Sequence, residues 1–574
     1  MESAGRRYRA LRLLLMTASI QTFVPAVSAA APPTFASQVA PILQAHCIQC
    51  HRSGGIASTA QFTSYASVRP WARAIQQAVI ARQMPPWSAD PASSLKFRND
   101  PRLSGADIAT LSAWARAGAP QGKYSGAPKF SSETNLARAA GEWHGPDGRQ
   151  PDLVISMDRE TQVPASGDLA YVRFLVKVPL SGDKWVAACE ARPGNATVVH
   201  HMAITEVELP EGVRPGDVDG LEAFARTMGS TGSILRPAVM SASNPNLVDM
   251  LAIYTPGATL ETYPPDSGKL LRGGANRYID FNIHYTSHGT AATDRSEVAF
   301  WFRDMPPKHQ IIRTPLAAET IIANGKELLT DARGIKAEGT QMVIPPIPPG
   351  TADYELIAVT AFPQPVTIFQ LQPHAHLRGK AFTYTAVYPD GREETLLSVP
   401  QYDFRWQMAY ELETPLKLPA GSKLVVTGHY DNSANNRFNP APEKSVFFRD
   451  QNLSTDEMFS PFVQYSVDAE EPGVRLVQTT GCLVQEQQSN EWMLTGAADP
   501  VASKVQTFAA REIQKAARAP WGSGTIHLVG LSVFNPSQHR QERVAVKGVL
   551  VSADERSVNV SSLQAVAGDC SSKN

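Results

Sequence analysis

The first part of the chain, up to about residue 122, shows hydrophobic residues at helical spacing. In the segment 103–120, Ser104 is a suitable N-cap, and the apolar residues that follow it form one face of a helix. Gly118, Ala119 and Pro120 are residues that end helices. The pattern extends over residues 33–122 and predicts a small α-helical domain.

From about residue 150 hydrophobic residues occur at every second position in short runs. The run 171–178 alternates in this way, and turns rich in proline and glycine separate such runs, as in 344–350. This texture predicts two β-sandwich domains, over 150–305 and 306–465. Alternating runs return in 470–574, where they predict a small β-barrel similar to OB-like modules, with a docking or structural role. The expected fold class is therefore multidomain and mainly β.

Composition narrows the range of functions. The 574 residues include 53 Lys and Arg against 54 Asp and Glu, a net charge of −1, and 43% are hydrophobic. A nucleic-acid-binding protein would usually show a basic excess, and a polybasic membrane-surface protein would as well. The hydrophobic content predicts a folded protein.

The N-terminus has the features of a secretory signal. An apolar stretch from Leu13 to about Val27 follows a basic segment and ends in Val27-Ser28-Ala29, small residues that suit cleavage near Ala29. The basic residues are Arg6, Arg7, Arg9 and Arg12. The stretch is shorter than the roughly 20 residues that span a bilayer, although an N-terminal anchor is the alternative. We expect residues 1–29 to be removed and the protein to be periplasmic or secreted, without a transmembrane segment.

Cys47-x-x-Cys50-His51 has the spacing at which two cysteines hold a haem covalently while the histidine ligates its iron. A zinc site would need two further ligands, and a thioredoxin-like pair would need a βαβ setting. Met84, followed by two prolines, is the expected sixth ligand, because a thioether opposite histidine suits electron transfer. Residues 33–122 resemble class I cytochrome c domains, which implies one covalent haem c.

Five histidines of the β region fall in three compact contexts. They are His200-His201, His284, and His374-Ala375-His376. On a strand, an H-x-H pair presents both rings on one face, whereas adjacent histidines need a bulged strand to reach one metal. Imidazole suits copper and zinc, and a thioether such as that of Met458 adds preference for Cu(I). A histidine considered alone is more commonly structural.

Together these residues resemble the copper type II ascorbate-dependent monooxygenases over about residues 150–465. Six motifs occur in the order of that family: His200-His201; Asn282-Ile283-His284-Tyr285; His374-Ala375-His376-Leu377-Arg378-Gly379; Tyr402-Asp403-Phe404-Arg405-Trp406-Gln407; Tyr430-Asp431-Asn432-Ser433; and Asp456-Glu457-Met458. The resemblance implies two jelly-roll-like domains with an open cleft between them, each holding one copper. It implies an electron-transferring copper at His200, His201 and His284. It implies an oxygen-activating, catalytic copper at His374, His376 and Met458.

The implied activity is hydroxylation of a C–H bond of a small-molecule or peptide substrate with O2. In the peptide-amidating member an arginine two residues before H-x-H helps to hold the substrate carboxylate. Gln372 stands there in this chain, so we expect no peptide with a C-terminal glycine as substrate. The haem is expected to relay electrons from a periplasmic donor to the first copper, since covalent linkage raises effective concentration. The alternative is an electron-transfer or copper-binding protein without monooxygenase activity.

The remaining residues receive structural interpretations. Cys482 and Cys570 are candidates for a disulfide, and Cys189 is expected to be a buried free thiol. The alternating aromatic residues of 402–406 are expected to pack a strand face, and His288 and His429 to be surface or structural residues.

Overall fold

The computed structural model describes most of the chain in ranges that are separated by short gaps. The described residues are 31–53, 55–123, 143, 145–167, 169, 172–209, 236–237, 250–256, 260–315, 320–329, 337–338, 341–342, 344–448, 456–468, 474–551 and 556–570. The predicted signal peptide, residues 1–29, lies outside them. In the described part, no helix has both the length and the apolar character needed to cross a membrane.

The first described segment is helical, as its hydrophobic spacing predicts. The α-helices are α1 (Ala40–His46), α2 (Tyr65–Val68), α3 (Ala72–Ile80) and α4 (Gly105–Arg116), and α5 (Ala510–Ala517) comes much later in the chain. Ser104 caps α4 as predicted, because its Oγ accepts the Asp107 N–H at 3.1 Å. Trp114 on α4 is fully buried and packs against Phe35 in a core that the helices build among themselves.

The strands of the two predicted sandwich regions form three larger sheets. The first region contains β1 (Leu153–Ser156), β2 (Thr161–Val163), β3 (Val172–Lys177), β4 (Lys184–Arg192), β5 (Val199–Glu208), β6 (Arg236–Pro237), β7 (Met250–Tyr254), β8 (Leu260–Thr262), β9 (Ser267–Leu271), β10 (Arg277–Tyr285), β11 (Ala292–Asp294) and β12 (Glu297–Arg303). The second contains β13 (His309–Pro315), β14 (Thr320–Ala323), β15 (Lys326–Glu327), β16 (Ala337–Glu338), β17 (Gln341–Met342), β18 (Tyr354–Ala361), β19 (Val366–Gln372), β20 (Gly379–Val387), β21 (Glu393–Val399), β22 (Tyr410–Leu418), β23 (Lys423–Tyr430), β24 (Phe447–Phe448), β25 (Asp456–Glu457) and β26 (Phe462–Val467).

One sheet runs through both regions. Its order is β1-β12-β4-β9-β13-β26-β19-β22, with β8 paired to β4, so strands of the first region continue into strands of the second. In the first region this sheet shares an apolar core with β3-β10-β5-β6. In the second it shares one with β15-β14-β18-β23-β20-β21. Two sheets around a common core is the packing of a β-sandwich, while the jelly-roll connectivity stays a prediction.

The last part of the chain closes five strands into a ring. The strands are β27 (Arg475–Gln485), β28 (Trp492–Ala497), β29 (Val501–Ala502), β30 (Gly524–Val529), β31 (Glu542–Leu550) and β32 (Ser557–Asp569). The pairings run β27-β28-β30-β32-β31 and back to β27, with β29 at the side, as expected of a small barrel. Its apolar residues share one core with β14, β18 and β23, so the barrel is packed firmly on the second sandwich region.

The cysteine predictions are confirmed in this part of the fold. Cys482 on β27 and Cys570, the residue directly after β32, form a disulfide that joins the start and the end of the barrel. Cys189 is a free, fully buried thiol on β4, and burial raises its pKa to about 12. Its Sγ donates to the carbonyl oxygen of Leu251 at 3.2 Å, which makes it part of the core.

Candidate metal centre

Three histidines meet where β5 and β10 pair. His201 lies opposite His284, but Tyr285 lies opposite Val199, so His200 is the additional residue of a β-bulge. The bulge turns both neighbouring rings to one side, as the sequence predicted for adjacent histidines. One ring nitrogen from each of the three histidines lies within 4.8 Å of the others, and all three residues are buried. This spacing fits a single metal ion with imidazole ligands.

A second group of candidate ligands lies just beyond β19. Strand β19 ends at Gln372, so His374 and His376 are in the loop that follows, and the expectation of an H-x-H on a strand is wrong. Their ring centroids are 5.8 Å apart with perpendicular planes. The His374 Nε2 atom lies 3.3 Å from Sδ of Met458, which follows β25. The structure thus brings together all three residues of the second predicted copper set.

Hydrogen bonds fix how these two imidazoles point. The Nδ1–H of His374 donates to Oε1 of Gln407 at 2.6 Å, and the Nδ1–H of His376 donates to the carbonyl oxygen of Asp456 at 3.1 Å. Both rings are thereby held in the tautomer whose Nε2 carries a lone pair. Such partners orient metal-binding histidines and raise the basicity of the ligand nitrogen. Gln407 belongs to a motif that the sequence analysis quoted without assigning it a role.

Glu457 is a site residue that the sequence analysis missed. Its buried carboxylate accepts backbone N–H groups of His376, of Arg378 at 2.9 Å and of Met458 at 3.0 Å. Burial raises its pKa to about 7, although these three donors oppose that shift. One side chain therefore ties the H-x-H loop to the segment that carries the methionine. Its place beside Met458 in the Asp-Glu-Met motif was the available signal.

The two sets of histidines are not separated by an open cleft, in contrast to the expectation. The ring centroids of His201 and His374 lie 5.4 Å apart. Phe404 lies between the groups, stacked on His200 with centroids 4.5 Å apart and 6.1 Å from the His376 centroid. Phe404 sits in a turn, so the predicted strand face at 402–406 is wrong because this segment folds into the site. Its neighbour Tyr402 bonds through its hydroxyl to both backbone groups of Ala375.

All five histidines are neutral at neutral pH. Burial lowers the pKa of His200 and of His374 to about 4, and that of His376 to about 3. It also lowers the pKa of His201 and His284, and the neighbouring imidazoles add to the effect. Neutral imidazole is the metal-binding form. His288 and His429 lie outside the cluster. His288 is exposed and bonds to Thr197, as predicted for a surface residue, and the half-buried His429 bonds to Asp353, as predicted for a structural one.

The Cys47-x-x-Cys50-His51 segment follows α1. Cys47 and Cys50 are free thiols of intermediate burial. The Nδ1–H of His51 donates to the carbonyl oxygen of Ala60 at 2.8 Å, and its ring stacks on Phe62 with centroids 4.2 Å apart. This bond leaves the lone pair on the Nε2 of His51. Met84 is half-buried in the loop after α3, before residues that contact the second sandwich region.

Residues 336–443 match the protein-family model "Copper type II ascorbate-dependent monooxygenase, C-terminal domain". The matched segment includes His374, His376 and Gln407, while Met458 lies beyond its end. Over these residues the chain is similar to a copper-dependent monooxygenase family, and the three-histidine cluster lies outside the matched segment.

Other known proteins give no evidence about the fold or function of this chain. No curated protein matches the sequence. Among solved structures, PNGF-II is similar at 6% identity and TM-score 0.21, over 53% of this chain and 60% of that one. An allantoicase is similar at 10% identity and TM-score 0.15, over 51% of this chain and 86% of that one. A structure of the Gt strain of infectious bursal disease virus is similar at 9% identity and TM-score 0.13, over 58% of this chain and 82% of that one. The chain thus spans less than two thirds of the first of these, and scores this low establish no common fold.

Proposed function

We propose that this protein is an exported haem c- and copper-containing monooxygenase that hydroxylates a C–H bond of its substrate with O2. The observation that carries the proposal is the convergence of five buried, neutral histidines and Met458 in a chain whose residues 336–443 match the copper monooxygenase family. Export rests on the signal sequence at residues 1–29 alone.

The residues present fit two copper ions. His200, His201 and His284 offer three imidazole nitrogens within 4.8 Å, a set suited to electron transfer. His374, His376 and Met458 add a thioether, which favours Cu(I), to two imidazoles held by their Nδ1–H bonds. Bound copper would supply O2 activation, in a reaction that consumes R–H, O2, two electrons and two protons and yields R–OH and water. The chain itself holds the imidazoles neutral and oriented.

The substrate is proposed to lack an essential carboxylate. Gln372, the residue two before His374, is buried and neutral, and its Nε2–H donates to the carbonyl oxygen of Gln407 at 3.3 Å. Arg313 on β13, a buried arginine of the same sheet, already pairs with Glu261 at 2.5 Å and Gln370 at 2.6 Å. Neither Gln372 nor Arg313 offers an uncompensated positive charge for a C-terminal carboxylate, so we propose a neutral small molecule or an internal peptide segment as the substrate.

The residues around His51 also fit a covalent haem. Two free thiols and an imidazole with its Nδ1–H already bonded are the groups that c-type attachment needs. Met84 would supply the second protein ligand of the haem iron.

We propose that the haem relays electrons to the three-histidine cluster, because one chain carries both centres and such a linkage raises the effective concentration of one centre near the other.

Metal analysis is the first test. Protein purified from a periplasm, with haem loaded and copper supplied, is expected to hold one iron and two coppers per chain. Stopped-flow reduction then follows the haem and Cu(II) signals separately.

One iron with no copper would refute the proposal and leave an electron-transfer protein. Two coppers without O2 consumption in a substrate screen would favour the copper-binding alternative. Equal rates of copper reduction in wild type and in Met84→Ala, with the natural donor, would refute the relay.

A further inference from the structure

A segment that follows the haem-binding helices lies along the second sandwich region. This segment, residues 87–99, is called the strap here. Trp87 packs edge-on against Tyr410 with ring centroids 4.8 Å apart, and Phe97 packs against the same ring at 5.5 Å. Tyr410 is fully buried and is the register partner of Leu371, on the strand that leads to His374. The strap therefore packs against β22, the neighbour in the sheet of the strand that leads to His374.

The end of the strap behaves as an additional strand on β22, the last strand in the order of its sheet. Phe97 pairs with Leu412 in an antiparallel bridge, and the N–H of Arg98 donates to the Glu411 carbonyl oxygen at 2.9 Å. The side chain of Asn99 continues the pairing where the backbone leaves. Its Nδ2–H donates to the Ala409 carbonyl oxygen at 2.8 Å, and its Oδ1 accepts the Glu411 N–H at 3.1 Å.

Arg98 extends this contact to the first sandwich region. Its Nε–H donates to the Glu411 carboxylate at 2.6 Å, and its Nη2–H donates to the carbonyl oxygen of Thr262 on β8 at 3.2 Å. The strap thus touches both copper-ligand regions at one point.

A short series of hydrogen bonds and backbone connects Asn99 to the imidazole of His374. Ala409, which it holds, is two residues after Gln407. Gln407 accepts the His374 Nδ1–H through its side chain and the Gln372 Nε2–H through its carbonyl oxygen. The segment 403–409 has no regular secondary structure, so its path depends on such side-chain bonds. Fixing the backbone at residue 409 therefore restricts where the Gln407 amide can lie.

We propose that Asn99 is a positioning residue for the centre formed by His374, His376 and Met458. By holding Ala409 it holds Gln407 against His374, so that the strap beside the haem-binding helices sets the metal affinity of this centre. The inference rests on the proposed function in assigning copper to these three residues. It adds that the helical domain contributes to the second copper centre through hydrogen bonds, in addition to any electrons it delivers.

The test compares Asn99→Ala with Arg102→Ala. Arg102 lies three residues further on, and among the described residues its side chain bonds only to Asp100, at 2.8 Å, so its loss leaves the contacts of Ala409 intact. Cu(I) affinities of the two centres are measured by competition with bicinchoninate on the full, haem-loaded chain. Partners of metal-bound histidines contribute about 10- to 100-fold in affinity, and we expect about tenfold weaker binding at the His374 centre for an indirect contact. In Asn99→Ala the Cu(I) affinity of the three-histidine cluster should be unchanged. In Arg102→Ala the affinities of both centres should be unchanged.

Unchanged affinity at both centres in Asn99→Ala, with or without a lower Tm, would overturn the inference, because a purely structural residue lowers stability alone. If Asn99→Ala does not fold, Asn99→Asp gives the same comparison, since it keeps the volume and the acceptor for Glu411 but loses the donor to Ala409. Wild-type protein that binds copper only at the three-histidine cluster would overturn the proposed function together with the inference. Normal copper binding in wild type and variant would overturn the inference alone.

Discussion

Gln407→Leu is expected to weaken copper binding at the His374 centre by about 10- to 100-fold. The substitution removes the acceptor of a 2.6 Å hydrogen bond from His374 Nδ1, in a place where Gln407 is 2% exposed and His374 7%. A buried donor left without a partner costs about 1–3 kcal/mol. At about 1.4 kcal/mol for each factor of ten, this agrees with the usual effect of losing a bond to a metal-bound histidine.

The measurement is a two-site Cu(I) titration, with Cu(II) electron paramagnetic resonance to identify which centre is filled. Gln464→Leu is the matched control. It makes the same change at a buried glutamine of β26, and, within the described part of the chain, the Nε2 atoms of both glutamines lack a hydrogen-bond partner. Gln464 has no bond to a candidate ligand among those described, so its variant should bind copper normally. Equal loss in both variants, or no loss in Gln407→Leu, would refute the argument that the Nδ1 bond controls His374.

Three further predictions concern other parts of the molecule. Met458→Ala should abolish substrate-dependent O2 consumption while the haem absorbance stays unchanged, and retained turnover would remove Met458 from the centre. Replacing Cys482 and Cys570 by alanine opens a link between residues 88 positions apart and should lower stability by up to about 4–5 kcal/mol; an equal Tm with and without reductant would contradict this. Lys423 is fully buried, and its Nζ–H donates to the carbonyl oxygen of Val560 at 2.5 Å. Burial lowers the pKa of Lys423 from 10.5 to about 7. The unfolded chain binds more protons between these values, so stability should rise as pH increases from 7 to 10, and Lys423→Met should flatten that rise in thermal scans.

The sequence by itself determined which side chains are available for the chemistry and how the backbone near them is organised. Adjacent His200 and His201 required a bulge in their strand, and the structure has it. The cap at Ser104, the buried thiol of Cys189 and the disulfide from Cys482 were also readable, because each depends on a local pattern or on one simple property of a residue. The match of residues 336–443 to a copper monooxygenase model agrees with the motifs.

Contacts between distant segments were decided only by the tertiary structure. The alternation at 402–406 predicts a strand, but Phe404 turns onto the ring of His200, which lies 204 positions earlier in the chain. The sequence does not distinguish Glu457 from other acidic residues. In the structure its carboxylate accepts backbone N–H groups of the H-x-H loop. Asn99 belongs to another domain of the expected fold altogether. Periodicity reports which face of a strand is apolar, but the register of sheets and the path of irregular loops depend on packing that no local pattern encodes. For that reason the candidate ligands could be predicted from the sequence, and the residues that hold them in place could not.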